Sequence, residues 1–136
     1  MTLNASVSPL AQWHQLVKTK DPKVLSAILD DKVVFESPVV HTPQLGKPIT
    51  FKYLMAAMHV LNNDSFTYLD EWTGPTSAVL EFQSTVEGIT INGVDIISWN
   101  EGGQITNFKV MVRPLKAVNK LHEMMGRMLQ APAKSG

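Results

Sequence analysis

Ala78-Val79-Leu80-Glu81-Phe82-Gln83-Ser84-Thr85-Val86-Glu87 alternates with a period of two. Ala78, Leu80, Phe82, Ser84 and Val86 share one side, while Val79, Glu81, Gln83, Thr85 and Glu87 share the other. Successive side chains of a strand point to opposite faces, so this is a strand with one dry and one wet face. The same period continues on both sides of it. Upstream, Phe66, Tyr68 and Trp72 share one parity in a segment that closes at the Gly74-Pro75 turn. Downstream, Gly88 and Asn92-Gly93 read as turn or bulge signals around residues 89–91. A further strand is expected over 93–100, then a hairpin turn at Glu101-Gly102-Gly103-Gln104, then a last strand over 105–113 that stops before Pro114.

Ahead of this meander the period is helical. Leu10, Trp13, Leu16 and Val17 mark one helix face, with Ser8 as N-cap and Pro9 at the first position. Asp21 and Pro22 start a second short helix, with Val24, Leu25, Ile28 and Leu29 on its apolar side. Asp30-Asp31 is expected to break it, and Val33-Val34-Phe35 reads as a short strand. Residues 37–50 hold Pro38, Pro43, Gly46 and Pro48 and are read as irregular, with 39–47 acting as a lid. Thr50 is expected to cap a third helix carrying Phe51, Leu54, Met55, Met58 and Leu61. Leu115, Val118, Leu121, Met124, Met125 and Met128 form a closing amphipathic helix, and 131–136 should fray. Helices followed by an antiparallel meander give an α+β fold, a single domain over 1–136. The sheet is too apolar for one bare face, so it should curve strongly around helices packed on its concave side.

Composition narrows the function. Of 136 residues, 44% are hydrophobic and 18% charged, as in a globular chain long enough to fold without disulfides or metal. Lys+Arg and Asp+Glu number 12 each, so the basic excess of a nucleic-acid partner is missing. No apolar run approaches the roughly 20 residues that span a bilayer, and residues 1–10 do not read as a secretory leader. Zero cysteines exclude a thiolate nucleophile and a cysteine zinc site. A cytoplasmic setting is expected, where the Asn4-Ala5-Ser6 and Asn63-Asp64-Ser65 patterns have no glycosylation meaning.

Several motifs then fall in a familiar order: Lys20-Asp21-Pro22 with Leu25 and Leu29, Asp30-Asp31-Lys32-Val33-Val34-Phe35-Glu36-Ser37-Pro38, and Gly46. Gly93-Val94-Asp95-Ile96-Ile97-Ser98-Trp99-Asn100 follows, with Gly102-Gly103-Gln104-Ile105. In these the chain resembles the nuclear transport factor 2-like superfamily, and within it SnoaL-like proteins and ketosteroid isomerases. The resemblance implies a cone-shaped α+β fold. It also implies a site: the isomerases' catalytic carboxylate precedes the proline matching Pro38, where this chain has Ser37. Their oxyanion-hole tyrosine falls on Trp13, and their protonated aspartic acid on Asp95, which is kept. The SnoaL-like cyclases' late aspartate falls near Val110.

Asp95 is the leading catalytic candidate. Among Val94, Ile96 and Ile97, its carboxyl must either face a cavity or hold a fixed partner such as a tryptophan or arginine. Its role would be acid or oxyanion donor, with a raised pKa. His41, in the proline-rich loop, is the candidate replacement base. Trp13, Val17, Tyr53, Phe82, Trp99, Phe108 and Val110 are the expected ligand contacts. Arg113 by parity faces away from Phe108 and Val110, Glu36 reads as outward or rim, and His14, His59 and His122 look outward or boundary-like. No histidine pair has metal-ligand spacing, so no metal is expected, and the proton-transfer reading needs no organic cofactor. The partner is a small hydrophobic molecule, with no nucleic acid and no membrane. Ile96, Ile105, Met111 and Val79 would leave an outer apolar patch, which predicts a two-fold homodimer. Two functions remain open: cofactor-free proton transfer (isomerase, cyclase or dehydratase), or a non-catalytic ligand-binding or interaction module.

Overall fold

The computed structural model describes residues 8–130. Two capped helices open it. In α1 (Pro9–Thr19) the Ser8 hydroxyl accepts from the Ala11 N–H at 3.0 Å, and in α2 (Pro22–Ile28) the Asp21 carboxylate accepts from the Lys23 N–H at 2.9 Å. Both satisfy orphan donors of a first turn that proline already pre-shapes. The chain passes straight from Ile28 into β1 (Leu29–Glu36), longer than the three residues expected. Asp30 ends the helix by holding extended backbone: its carboxylate accepts from Lys32 N–H at 2.9 Å and from Asn100 Nδ2 at 3.2 Å.

After the Ser37–Pro38 turn comes β2 (Gln44–Leu45), then α3 (Lys47–Leu61), β3 (Thr67–Thr73), β4 (Ser77–Val86), β5 (Ile89–Trp99), β6 (Ile105–Arg113) and α4 (Leu115–Gln130). The supposed lid is therefore half tied down. Gln44 and Leu45 pair with Phe35 and Val34, and the Gly46 N–H donates to the Val33 carbonyl at 2.7 Å. Gly46 at φ 100° is the N-cap of α3, so the helix starts three residues before Thr50, which lies buried inside its first turn.

The sheet order is β2-β1-β6-β5-β4-β3. The meander is antiparallel, but β6 meets β1 in parallel, so the sheet is mixed rather than wholly antiparallel. The cause is topological. The chain leaves the β2 edge, crosses through α3 to the opposite edge, and returns by three hairpins that bring β6 alongside β1. The curved, unclosed sheet holds the core on its concave side: Trp13, Leu16, Leu25, Leu54, Leu80, Phe82, Ile97, Phe108 and Leu121 all belong to it. The frayed tail expected at 131–136 lies outside the described residues.

Two bulges change which residues face inward. Between Tyr68 and Asp70 the β3–β4 register slips at Leu69, which flips the parity beyond it. Trp72 is thereby turned out opposite Val79 and is 53% exposed, instead of joining Phe66 and Tyr68. A second slip pairs Ser98 with Asn107 but Trp99 with Ile105, and Ile105 is fully buried rather than part of the outer patch. Leu115, counted with the apolar stripe of the closing helix, is 75% exposed; the buried stripe of α4 is Ala117, Leu121 and Met125.

Asn92-Gly93 is no turn. The β4–β5 hairpin turns at Glu87 and Gly88, both at positive φ (49° and 81°), and β5 runs through Gly93 without a break. Gly93 is there for space: a Cβ would lie 2.4 Å from the Met111 carbonyl oxygen and 2.7 Å from Phe82 Cζ. Gly93→Ala is expected to displace the Phe82 ring and cost about 1–3 kcal/mol, seen as a lower urea midpoint with an unchanged m-value. An unchanged midpoint would contradict the close packing.

Candidate functional site

Between the concave face and α1, α3 and α4 lies a cavity of about 190 Å³. Its walls are apolar, with Phe35, Phe66, Phe82 and Phe108 from the sheet side and Val17, Leu54 and Met58 from the helices. Few polar side chains interrupt them: Asp95, Tyr68, Tyr53, Asn62, Ser37 and His122.

Asp95 sits mid-strand in β5, opposite Leu80 and Val110, and is only 7% exposed. Its Oδ2 accepts from the Tyr68 hydroxyl at 2.8 Å, and the Tyr68 oxygen accepts from Trp13 Nε1–H at 2.9 Å. A directed chain of donors thus runs from α1 through β3 to β5. Tyr68 is held edge-on by Phe66 (centroids 5.1 Å apart, 83°) and by His14 (5.4 Å, 87°), whose Nε2 lies 2.7 Å from Glu71 Oε1. Trp13 in turn packs on Phe108 with centroids 4.8 Å apart. Asp95 Oδ1 has no hydrogen-bond partner among the described residues.

Burial sets the electrostatics. It pushes the Asp95 carboxyl up to about 7, against the Tyr68 hydrogen bond, which favours the carboxylate. Burial, then the neighbouring Asp95 charge, pushes the Tyr68 phenol well above its ordinary value, opposed by the Trp13 N–H. Because Tyr68 already donates to Oδ2, a proton taken up by Asp95 resides on Oδ1. The site therefore offers one O–H donor in apolar surroundings.

Trp13, Val17, Tyr53, Phe82, Phe108, Val110 and Asp95 all line the cavity. Trp99 does not; the second bulge leaves it beside Ile105 at the end of β5. His41 does not either. The Val39 N–H donates to the Ser37 hydroxyl at 3.1 Å, a tight turn that leaves Val39 and Val40 in the lining and His41 on an adjoining groove with Glu36 and Lys109, which shares Ser37, Pro38 and Val110 with the cavity. That turn uses one acceptor site of the Ser37 hydroxyl. Arg113 faces away, its Nη1 donating to Asn92 Oδ1 at 3.3 Å. Trp13 lines the cavity as expected, with its N–H engaged by Tyr68.

Two features escape a reading of the sequence alone. Tyr68, rather than a tryptophan or arginine, is the direct partner of Asp95. The other is α4, which contributes Leu121, His122, Met125, Gly126 and Leu129 to the cavity wall. Gly126 is the available signal: a glycine inside a helix costs about 1 kcal/mol, and here a Cβ would meet nothing within 4 Å. Among the described residues no group of three or more His, Asp or Glu side chains is placed to hold a metal ion, and no helix is long and apolar enough to cross a membrane.

A curved mixed sheet wrapped on helices around an apolar cavity with a buried acid defines the cone-shaped α+β class. No family model and no curated protein matches the chain. Among solved structures it is 34% identical to a steroid delta-isomerase from Pseudomonas aeruginosa, with 98% of this chain and 97% of that one covered at a TM-score of 0.89. An uncharacterized protein with a cystatin-like fold from Silicibacter pomeroyi matches at 28% identity, 93% and 88% coverage and TM-score 0.85. An NTF2-like protein of unknown function from Mesorhizobium loti shares the fold at 14% identity, 78% and 88% coverage and TM-score 0.67. The chain belongs to the nuclear transport factor 2-like family and has the ketosteroid isomerase-like fold.

Proposed function

We propose that the cavity takes a small, largely hydrophobic molecule whose carbonyl or hydroxyl oxygen meets Asp95, and that the chemistry is cofactor-free proton transfer next to that oxygen. The observation that carries the reading is the acid itself: a carboxyl in an apolar cavity with Oδ2 fixed by Tyr68 and Oδ1 unpartnered. A protonated Asp95 would stabilise charge developing on a ligand oxygen, as a neutral aspartic acid does in the oxyanion hole of ketosteroid isomerase. The 34% identical relative carries the name of an isomerase acting on steroids. Size favours a smaller ligand here: about 190 Å³ is little more than the roughly 150 Å³ of an engineered apolar cavity that holds benzene. One or two fused rings fit that space.

The test is binding of 2-tetralone, a two-ring ketone, against tetralin, which lacks the carbonyl. Asp95→Leu is expected to weaken 2-tetralone about tenfold and leave tetralin unchanged, measured by calorimetry. Equal weakening of both, or of neither, would remove Asp95 from recognition. A second reading has its own support. Ser37 stands where the related isomerases place their base, and its hydroxyl is bound in a turn, which favours a non-catalytic binding module. Binding without any proton exchange in the ligand would select it.

We also propose assembly through the convex face. Trp72 and Met111 are each 53% exposed there, beside half-buried Val79, Val94 and Ile96. Light scattering at micromolar concentration should give twice the mass of one chain, and Trp72→Glu should halve it. A single-chain mass for the parent would refute this assembly.

A further inference from the structure

Proton transfer needs an acceptor as well as a donor, and the usual position for it holds Ser37, whose hydroxyl takes the Val39 N–H. The titratable side chains lining the cavity are Asp95, Tyr68, Tyr53 and His122. Asp95 and Tyr68 are bound to each other and, by burial, held toward their protonated forms. Tyrosine hydroxyls are donors near neutral pH. Of the four histidines, His14 is engaged by Glu71, His41 lies on the adjoining groove, and His59 is exposed on α3 away from the cavity lining. His122 remains. It projects from α4 beside Leu121, Met125 and Gly126, lines the cavity while staying open to solvent, and has no hydrogen-bond or ion-pair partner among the described residues.

We infer that His122 is the proton-accepting catalytic residue of this site, acting on a ketone held in the cavity that it lines together with Asp95. The inference rests on the function proposed above. In the step, the imidazole nitrogen forms an N–H bond as the C–H bond next to the carbonyl breaks. The C–H electron pair becomes the C=C of an enol or enolate, and the carbonyl π pair moves onto the oxygen, which Asp95 stabilises by its hydrogen bond. The imidazolium then returns the proton, either to the same carbon or to a conjugated one further along. The first outcome is exchange and the second is a double-bond shift. Neither needs an oxidant, a reductant or a co-reactant. Because His122 is open to solvent, the imidazolium can trade its proton with water while the enolate is still bound, so the hydrogen returned to carbon comes from solvent.

The experiment follows hydrogen–deuterium exchange of the benzylic α-protons of 2-tetralone in deuterated buffer by proton NMR. It compares the parent, His122→Gln, His122→Ala with and without added imidazole, and Asp95→Asn. Enzyme-accelerated exchange that falls at least 100-fold in His122→Gln, and that imidazole partly restores in His122→Ala, is the expected result. Circular dichroism of the parent and both His122 variants should coincide, since the residue is on the surface. Full exchange activity in His122→Gln, with loss only in Asp95→Asn, would overturn the role of His122 and leave the proposed function standing. A parent no faster than buffer alone, under conditions where 2-tetralone is bound, would overturn both.

Discussion

Through Asp95 alone, stability is expected to fall by about 4 kcal/mol between pH 4 and pH 8, and the Asp95→Asn variant to abolish that fall. In the unfolded chain the carboxyl ionises near about 3.9, whereas burial moves it to about 7 in the folded protein. Between those values the native state holds a proton that the unfolded state has released. Stability from this group is therefore complete below the unfolded value, declines as pH rises, and levels off once the folded value is passed. Asparagine still accepts from the Tyr68 hydroxyl but does not titrate. Urea unfolding at pH 4, 6 and 8 measures the difference. Parallel pH profiles for parent and variant would mean that Asp95 is an ordinary carboxylate in the folded protein.

The second large effect is expected at Tyr68. Tyr68→Phe keeps the ring between Phe66 and His14 but removes the oxygen that joins Trp13 to Asp95. The Trp13 N–H, in a side chain that is almost wholly buried, and Asp95 Oδ2 both lose their partner. An orphaned buried polar group costs about 1–3 kcal/mol, so a loss of that order is expected at pH 5. The carboxyl should respond as well. Tyr68 donates to the ionised form and lowers its pKa, so its removal should move the Asp95 midpoint above about 7. A midpoint that is unchanged or lowered would show that the Tyr68 hydroxyl does not stabilise the Asp95 carboxylate.

Much of this is legible in the sequence because it is local. Ser8 and Asp21 cap their helices through atoms two or three residues away, and Pro9 and Pro22 mark the same starts. A carboxyl set among Val94, Ile96 and Ile97 demands an explanation whatever the fold. The failures are all non-local. The slip at Leu69 depends on how β3 meets β4, and parity counted along one strand cannot register it, so it puts Trp72 on the wrong face. The slip opposite Ser98–Trp99 does the same for Ile105. That β6 runs parallel to β1 follows from the route of α3 across the sheet. His122 looks like a surface residue in its own helix, and only the docking of α4 over the cavity gives it an inner neighbourhood. Gly93 is the sharpest instance: the Asn-Gly pair that signals a hairpin locally is overruled by Phe82 and Met111, which leave no room for a Cβ.

The proposed role requires Asp95 to keep its proton up to about pH 7 and to turn it toward a ligand oxygen. Carbon-13 NMR of the Asp95 side-chain carboxyl from pH 3 to pH 9, with and without saturating 2-tetralone, addresses it directly. A ligand that accepts a hydrogen bond from the protonated form must favour that form. The expected midpoint is near 7 in the free protein and moves higher when the ketone is bound. A midpoint near 4, or one that 2-tetralone leaves in place, would contradict it.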